Sequence, residues 1–368
     1  MILLVTGGAG FIGSHFIRLV LKERPTCKVI NLDKLAYSGS LENLSDVEER
    51  EGGRRYFFVR GDICDSNLVG ALFSGEHPLF QQHRDLKVEA PDRCPIRVVV
   101  HFAAESHVDR SIRDASAFFR TNVEGTRVLV ESARRHWGAG PPALEQNPYR
   151  FVHISTDEVY GSLEPADPPF REGSPLRPNS PYAASKAAAD LTVLAYLHTY
   201  GLPAVITRCG NNYGPYQHPE KFIPLFITNA LEDRPLPLYG DGLQVRDWIH
   251  VGDHCSALIA VLERGKAGEV YNIGAGQEYT NRQVAELITQ SMGRSTDLIR
   301  GVADRLGHDR RYAMDATKIR SILGWRAERS FVEGLESTIR WYQANSGWWK
   351  RVKNDEFWTY YKEIYGSI

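Results

Sequence analysis

Ile2-Leu3-Leu4-Val5-Thr6-Gly7-Gly8-Ala9-Gly10-Phe11-Ile12-Gly13 decides the fold. An unbroken apolar run reads as a buried parallel strand, and Gly7, Gly10 and Gly13 follow it at once. The first lets the chain turn tightly, the second admits a pyrophosphate against the backbone, and the third lets the next helix pack on the sheet. That helix, expected over about Ile12–Lys22, aims free N–H groups and the positive end of its dipole at the phosphates. Any glycine-rich turn satisfies the spacing alone. Its place between strand and helix is what phosphate binding requires.

Outward from this stretch, short apolar runs alternate with helix-length amphipathic segments. Val29–Leu32, Tyr56–Val59, Val98–Phe102, Phe151–Ile154 and Ala204–Thr207 read as strands, Ala115–His136 and Ala183–Tyr200 as helices. The pattern predicts an α/β protein with a Rossmann-type, doubly wound parallel sheet. Phe73–Pro95 and Gly138–Pro148 break the rhythm and read as surface insertions. Beyond Gly210 the pattern loosens, with a helix at Asn281–Met292, and we expect a smaller C-terminal substrate-binding lobe there. The expected division is a dinucleotide-binding domain over 1–208, which Val245–His250 and the following helix rejoin (about 243–275). The lobe then comprises 209–242 and 276–330, and 331–368 forms a C-terminal helical segment.

A net charge of −1 over 368 residues leaves no global field to hold nucleic acid or an anionic membrane. No apolar run reaches the length of a membrane span. Five scattered cysteines (Cys27, Cys64, Cys94, Cys209, Cys255) lack metal-ligand spacing and read as reduced thiols. With no leader pattern at the first residues, a cytoplasmic location is expected.

Chemistry enters at three places. Asp33, twenty residues past Gly13 at the end of the second strand, can accept both ribose hydroxyls of NAD and would repel the extra phosphate of NADP. Lys34 beside it could blur that preference, and Asp62 is placed for the adenine, though a solvated turn carboxylate explains it nearly as well. Tyr182 and Lys186 lie one helical turn apart, so the lysine cation can favour the phenolate. Ser155-Thr156-Asp157-Glu158-Val159-Tyr160-Gly161 follows the strand Phe151–Ile154. A hydroxyl and two adjacent carboxylates thus arrive where parallel strands deliver their active groups. In isolation they would read as a helix cap; upstream of Tyr182 and Lys186 they read as a site.

Together these motifs resemble the extended short-chain dehydrogenase/reductases and, among them, the dTDP-glucose 4,6-dehydratases. His101-Phe102-Ala103-Ala104-Glu105-Ser106-His107-Val108-Asp109-Arg110-Ser111, Asn211-Asn212-Tyr213-Gly214-Pro215-Tyr216-Gln217, Arg246-Asp247-Trp248 and Gly307-His308-Asp309-Arg310-Arg311-Tyr312 carry the same likeness. It spans about residues 1–330 apart from the two insertions. The resemblance implies that NAD meets Gly7, Gly10, Phe11, Ile12, Gly13, Asp33, Lys34, Leu35 and Ala36. Asp62, Ile63, Phe102, Ala103, Ala104, Ser106, Thr121, Tyr182, Lys186 and Asn212 complete that set. For the nucleotide sugar, taken as dTDP-glucose, it implies Ser106, Thr156, Asn211, Lys221, Arg246, Asn272, Arg305, His308 and Tyr312.

The chemistry it implies has three steps. Tyr182, with Thr156, takes a proton from the carbon-4 hydroxyl as hydride passes to NAD. Glu158 then removes the carbon-5 proton while Asp157 protonates the departing carbon-6 hydroxyl. The hydride finally returns to carbon 6. Adjacent carboxylates can serve as acid and base because burial and like charge push their pKa values apart. Gly210, His218 and Leu306 stand where the pattern has serine, an aromatic residue and proline, which leaves thymidine against uridine open.

The helices Ala115–His136 and Ala183–Tyr200 carry apolar residues on more than one face, Phe118, Phe119, Val123 and Leu129 in one and Leu191, Val193, Leu194 and Leu197 in the other. A partner subunit or an internal cover would each account for this, and the family's habit points to a homodimer. A 4-epimerase or UDP-glucuronate decarboxylase shares the Tyr-Lys pair but needs no acid and base beside the threonine. A UDP-N-acetylglucosamine dehydratase more typically carries lysine at position 158. A non-catalytic NAD sensor has no use for the whole set.

Overall fold

The computed structural model describes residues 1–86, 94–138 and 147–366. Seven parallel strands form the main sheet in the order β10-β6-β5-β4-β1-β2-β3. They are β1 (Ile2–Thr6), β2 (Lys28–Asp33), β3 (Tyr56–Arg60), β4 (Ile96–His101), β5 (Arg150–Thr156), β6 (Ala204–Cys209) and β10 (Val270–Ile273). Strand order reverses between β1 and β4, and there the carboxyl ends part to leave a crevice.

Alternation along β1 sends Leu3 and Val5 into one core and Ile2 and Leu4 into the other. The first core packs against the Phe11–Glu23 and Val251–Arg264 helices, the second against Ser66–Ser74 and Thr126–Trp137. A sheet covered on both faces explains the unbroken apolar strands.

A third core belongs to the later chain. It gathers Ile223, Phe226, Trp248, Val284, Phe331, Tyr342, Trp349 and Phe357. The helices of 331–365 therefore share the lobe's core. Two small sheets frame it: β7 (Asn211–Tyr213), β9 (Val245–His250) and β11 (Glu278–Thr280) form one, β8 (Leu236–Tyr239) and β12 (Ile299–Val302) the other.

Three expectations need correction. Val245–His250 does not rejoin the main sheet: it pairs with β7 and β11, and Val270–Ile273 takes the outer place beside β6. The segment from Phe73 is not a surface insertion as far as Leu86, because Phe73, Leu79, Phe80 and Leu86 are buried in the second core. Residues 87–93, like 139–146 of the Gly138–Pro148 insertion, lie outside the described residues. The Ala115–His136 helix is broken by a π-helical turn at Phe119–Gly125. There the Asn122 side chain turns inward, accepting from the Glu105 N–H at 2.8 Å and donating to Ser185 Oγ at 2.8 Å.

Candidate active site

The site grows from the crevice. Gly7 turns with φ +71°, and a Cβ there would stand 2.6 Å from the Ala103 nitrogen. A methyl at Gly13 would collide with the Gly7 carbonyl. The glycines therefore let two strand ends and a helix start crowd one point. Gly10 keeps a face open to the cleft, where a side chain would fill the cradle that a pyrophosphate needs. Asp33 ends β2 inside the cleft, buried, its two oxygens each accepting one backbone N–H, from Ala9 at 2.9 Å and Leu35 at 2.8 Å. Both oxygens keep lone pairs for a ribose diol.

The Lys34 charge acts on Asp33, but Lys34 spends its hydrogen bonds elsewhere. Its ammonium pairs with Glu105 at 3.0 Å and donates to Thr121 Oγ1 at 3.1 Å. Phe11, Ile12, Ala36, Asp62, Ile63, Phe102, Ala103, Ala104 and Ser106 line the same cleft, whereas Leu35 gives only its backbone, to Asp33.

At the next strand ends, β5 delivers Thr156 and a short 3-10 turn carries Asp157 and Glu158. The Thr156 hydroxyl donates to Asp157 Oδ1 at 3.2 Å and accepts from the Glu158 N–H at 3.3 Å. Ser180 caps the Pro181–Tyr200 helix, accepting from the Ala183 N–H at 3.1 Å, and so sets Tyr182 and Lys186 against this turn. All five residues line the cleft.

The two carboxylates differ in surroundings. Burial, and then the Glu158 charge, holds Asp157 well above the usual carboxylate range, and its Oδ2 has no hydrogen-bond partner. Burial also raises Glu158, but the charges of Arg305, Lys221 and Arg246 pull it back. Both carboxyls are pushed toward the protonated form, Asp157 the more strongly.

The expected lowering of Tyr182 by Lys186 is not what the protein's own groups produce. Burial and the Glu158 charge hold the phenol well above its ordinary range, with the Thr156 hydroxyl opposing. Lys186 donates to the Ile154 carbonyl at 2.7 Å, and burial brings its ammonium down to about 8.

Toward the lobe, Asn211 and Asn212 line the cleft, and the buried Asn211 Oδ1 has no partner. Asn212 is oriented by His254, whose Nδ1 lies 2.8 Å from its Oδ1. Lys221 donates to the Ser106 carbonyl at 2.7 Å. Arg246 lies over the Tyr312 ring at 4.4 Å and donates to the Asp309 carbonyl at 3.0 Å; Tyr312 in turn bonds the Asp309 carboxylate. Arg305 stands 3.7 Å from Asp109, and His308 bonds Asp304 at 2.6 Å.

Asn272 does not belong here. It sits on β10 with no exposure, its Oδ1 accepting from Tyr160 at 2.8 Å and its Nδ2 donating to the Phe170 carbonyl at 2.9 Å. Its capacity is spent in the core. Sequence reasoning missed Glu105, which neutralises Lys34, and the buried His254 and Glu220. Glu105 and Glu220 each adjoin a residue singled out above (Ser106, Lys221), the one signal that could have found them. At Gly210 a side chain would stand 2.7 Å from the Asp247 carbonyl, so the backbone here is set for glycine.

The family model described as GDP-mannose 4,6 dehydratase matches residues 4–79 and 84–338. A dTDP-glucose 4,6-dehydratase of Streptomyces niveus is 48% identical over 360 residues, covering 97% of each chain. This chain belongs to the dTDP-glucose 4,6-dehydratase family. Another dehydratase of that name, from Neisseria meningitidis serogroup B, is 46% identical over 96% of this chain and 97% of its own. Among solved structures, the Streptomyces venezuelae dTDP-glucose 4,6-dehydratase DesIV, crystallised with NAD bound, superposes with a TM-score of 0.83. It is 49% identical and covers 96% of this chain and 100% of its own. The dehydratase fold extends to a Thermus thermophilus UDP-glucose 4-epimerase, 30% identical with a TM-score of 0.78, covering 94% and 100%.

Proposed function

We propose that this chain is an NAD-dependent dTDP-glucose 4,6-dehydratase, forming dTDP-4-keto-6-deoxyglucose and water. The observation that carries the reading is the unequal carboxylate pair beside the Thr156–Tyr182–Lys186 set. An epimerase needs neither carboxylate; a 4,6-elimination needs both.

The residues fit NAD: the glycine turn cradles the pyrophosphate, Asp33 takes the adenosine ribose, and Lys186 meets the nicotinamide ribose. Bound NAD supplies the hydride acceptor for carbon 4 and, once reduced, the donor for carbon 6. Thr156 and Tyr182 hold the carbon-4 hydroxyl, and Tyr182 takes its proton, with the Lys186 ammonium one helical turn away. The resulting ketone acidifies carbon 5, where Glu158 removes the proton. Asp157, whose carboxyl burial pushes well above the usual range, gives its proton to the carbon-6 hydroxyl, and water leaves.

Lys221, Arg246 and Arg305 meet the diphosphate and nucleotide, which puts the sugar nucleotide in the lobe and NAD against the main sheet. Phe119, Leu191 and Tyr200, exposed on the π-turn and the Pro181–Tyr200 helix, support a homodimer. Five unpaired thiols accord with a cytoplasmic enzyme.

The test follows hydrogen. Deuterium placed at carbon 4 of dTDP-glucose should appear at carbon 6 of the product, and solvent deuterium should enter at carbon 5. Product with the label still on carbon 4, or no product at all, sinks the reading.

A further inference from the structure

Arg110 lies outside the cleft lining, yet three segments around the cleft converge on it. Its guanidinium carbon lies over two rings, 4.2 Å from the centroid of Tyr37 and 4.5 Å from that of Tyr360. Glu220 chelates it edge-on, with contacts of 2.6 Å and 3.1 Å. Tyr37 belongs to the loop that follows Asp33 and lines the cleft there. Glu220 precedes Lys221, whose ammonium reaches the Ser106 carbonyl. Tyr360 comes from the Asp355–Tyr365 helix, and its hydroxyl lies 3.4 Å from His107 Nδ1.

The chemistry of the joint is specific to arginine. A planar guanidinium can be stacked on both faces and still offer a fork in its plane to a carboxylate; an ammonium cannot do both. The Glu220 side chain is 3% exposed, so this carboxylate depends on Arg110 for its countercharge. His218, two residues before Glu220, meets the Tyr37 ring edge-on at 5.5 Å. The cofactor-side and substrate-side loops therefore touch, and Arg110 clamps them from behind.

We propose that Arg110 is a positioning residue that fastens the Asp33–Gly39 loop to the His218–Lys221 loop, so that one side chain holds the wall of the NAD site and the wall of the nucleotide-sugar site together. The proposal rests on the assignment of those two loops to NAD and to the nucleotide diphosphate. A clamp of this kind suits a reaction that reduces and reoxidises its cofactor within one turnover, because the cofactor must then stay while substrates pass.

The test uses the full-length holoenzyme and two binding constants that need no turnover: the rate of NAD release and the affinity for dTDP by calorimetry. Arg110→Met alone strands the buried Glu220 charge and could unfold the chain. Arg110→Lys keeps the charge but loses the fork and the stacking, and the Arg110→Met/Glu220→Gln pair removes both charges together. In Arg110→Lys, NAD release should quicken about tenfold or more and dTDP affinity should fall in parallel, as expected for a lost charge-assisted contact. The double variant should show both losses, with no more than the Arg110→Lys effect. Tyr360→Phe keeps the ring and should behave as the parent; Tyr360→Leu should release NAD faster. A role confined to stability lowers the midpoint of thermal unfolding and leaves both constants unchanged, which overturns the proposal. So does a change in one constant alone. Failure of dTDP-glucose turnover in the parent would strike the function reading and leave these two constants to judge the clamp.

Discussion

Asp157 and Glu158 are neighbours in sequence and opposites in surroundings. The first is buried against a like charge; the second faces three cations. Their amide variants should therefore fail at different steps. Glu158→Gln keeps the shape and removes the base, so kcat should fall about 10²–10⁴-fold while enzyme-bound NADH accumulates in the absorbance spectrum. Asp157→Asn should slow loss of the hydroxyl by a similar factor, yet still exchange solvent deuterium into carbon 5. Lys186 adds a pH dependence. With the ammonium as the working form, brought down to about 8 by burial, kcat/KM should fall as pH rises through about 8. Lys186→Arg, whose guanidinium stays charged, should lack that limb whatever its residual rate. Asp33 sets the cofactor. With Lys34 paired to Glu105, the Asp33 carboxylate faces a 2′-phosphate as a like charge. NADP should bind at least about 100-fold more weakly than NAD in calorimetric titration.

At the scale of elements, the glycine turn shows how tightly local geometry and function are joined. Gly13→Ala would press a methyl on the Gly7 carbonyl, backbone against backbone, with no flexible side chain to yield. It should cost about 1–3 kcal/mol in thermal unfolding and lower the NAD content of the purified protein. Elements of this kind were legible in the sequence because their cause is local: an apolar run, a glycine spacing, a serine cap. The strands β1 to β6 and the Tyr182–Lys186 helix follow from such signals. Assignments that depend on a distant partner were not legible. Val245–His250 carries a strand pattern that fits either sheet, and only its pairing with β7 and β11 decides between them. Asn272 entered the substrate set through the family resemblance, but Tyr160, 112 residues away in sequence, satisfies its side chain. The π-turn is invisible to periodicity, since what makes it is the inward reach of Asn122 to Glu105 and Ser185. Phe73, Leu79, Phe80 and Leu86 sit in a segment whose polar composition hid them as core residues.

On the scale of the whole molecule, one helix faces two ways. The Pro181–Tyr200 helix buries Tyr182, Lys186 and Asp190 inward, while Leu191 on the same helix is 57% exposed and Phe119, on the adjoining π-turn, 45%. Asp190 is tied to Arg208 at 2.8 Å, so the inner face is fixed by charge as well as by packing. On the outer face Arg134 lies over the Tyr200 ring at 4.9 Å, while Leu191 stays open. Apolar side chains of this size gain little in water and much in a helix-on-helix contact, at about 25 cal/mol per Å² buried. Two copies that paired these helices with their symmetry mates would form a four-helix bundle around a two-fold axis. Light scattering at micromolar concentration should then give twice the chain mass, and a monomeric mass would remove the dimer. Leu191→Arg would bring a charge into that contact, where burial without a partner is costly. The variant should shift to the monomer mass while remaining folded, because residue 191 lies outside the chain's own core. Loss of the partner should also loosen the helix that carries Tyr182 and Lys186, so the monomer should turn over more slowly at saturating substrate than the dimer. If Leu191→Arg stays dimeric, the subunits meet elsewhere, and the excess apolar surface of this helix needs another cause.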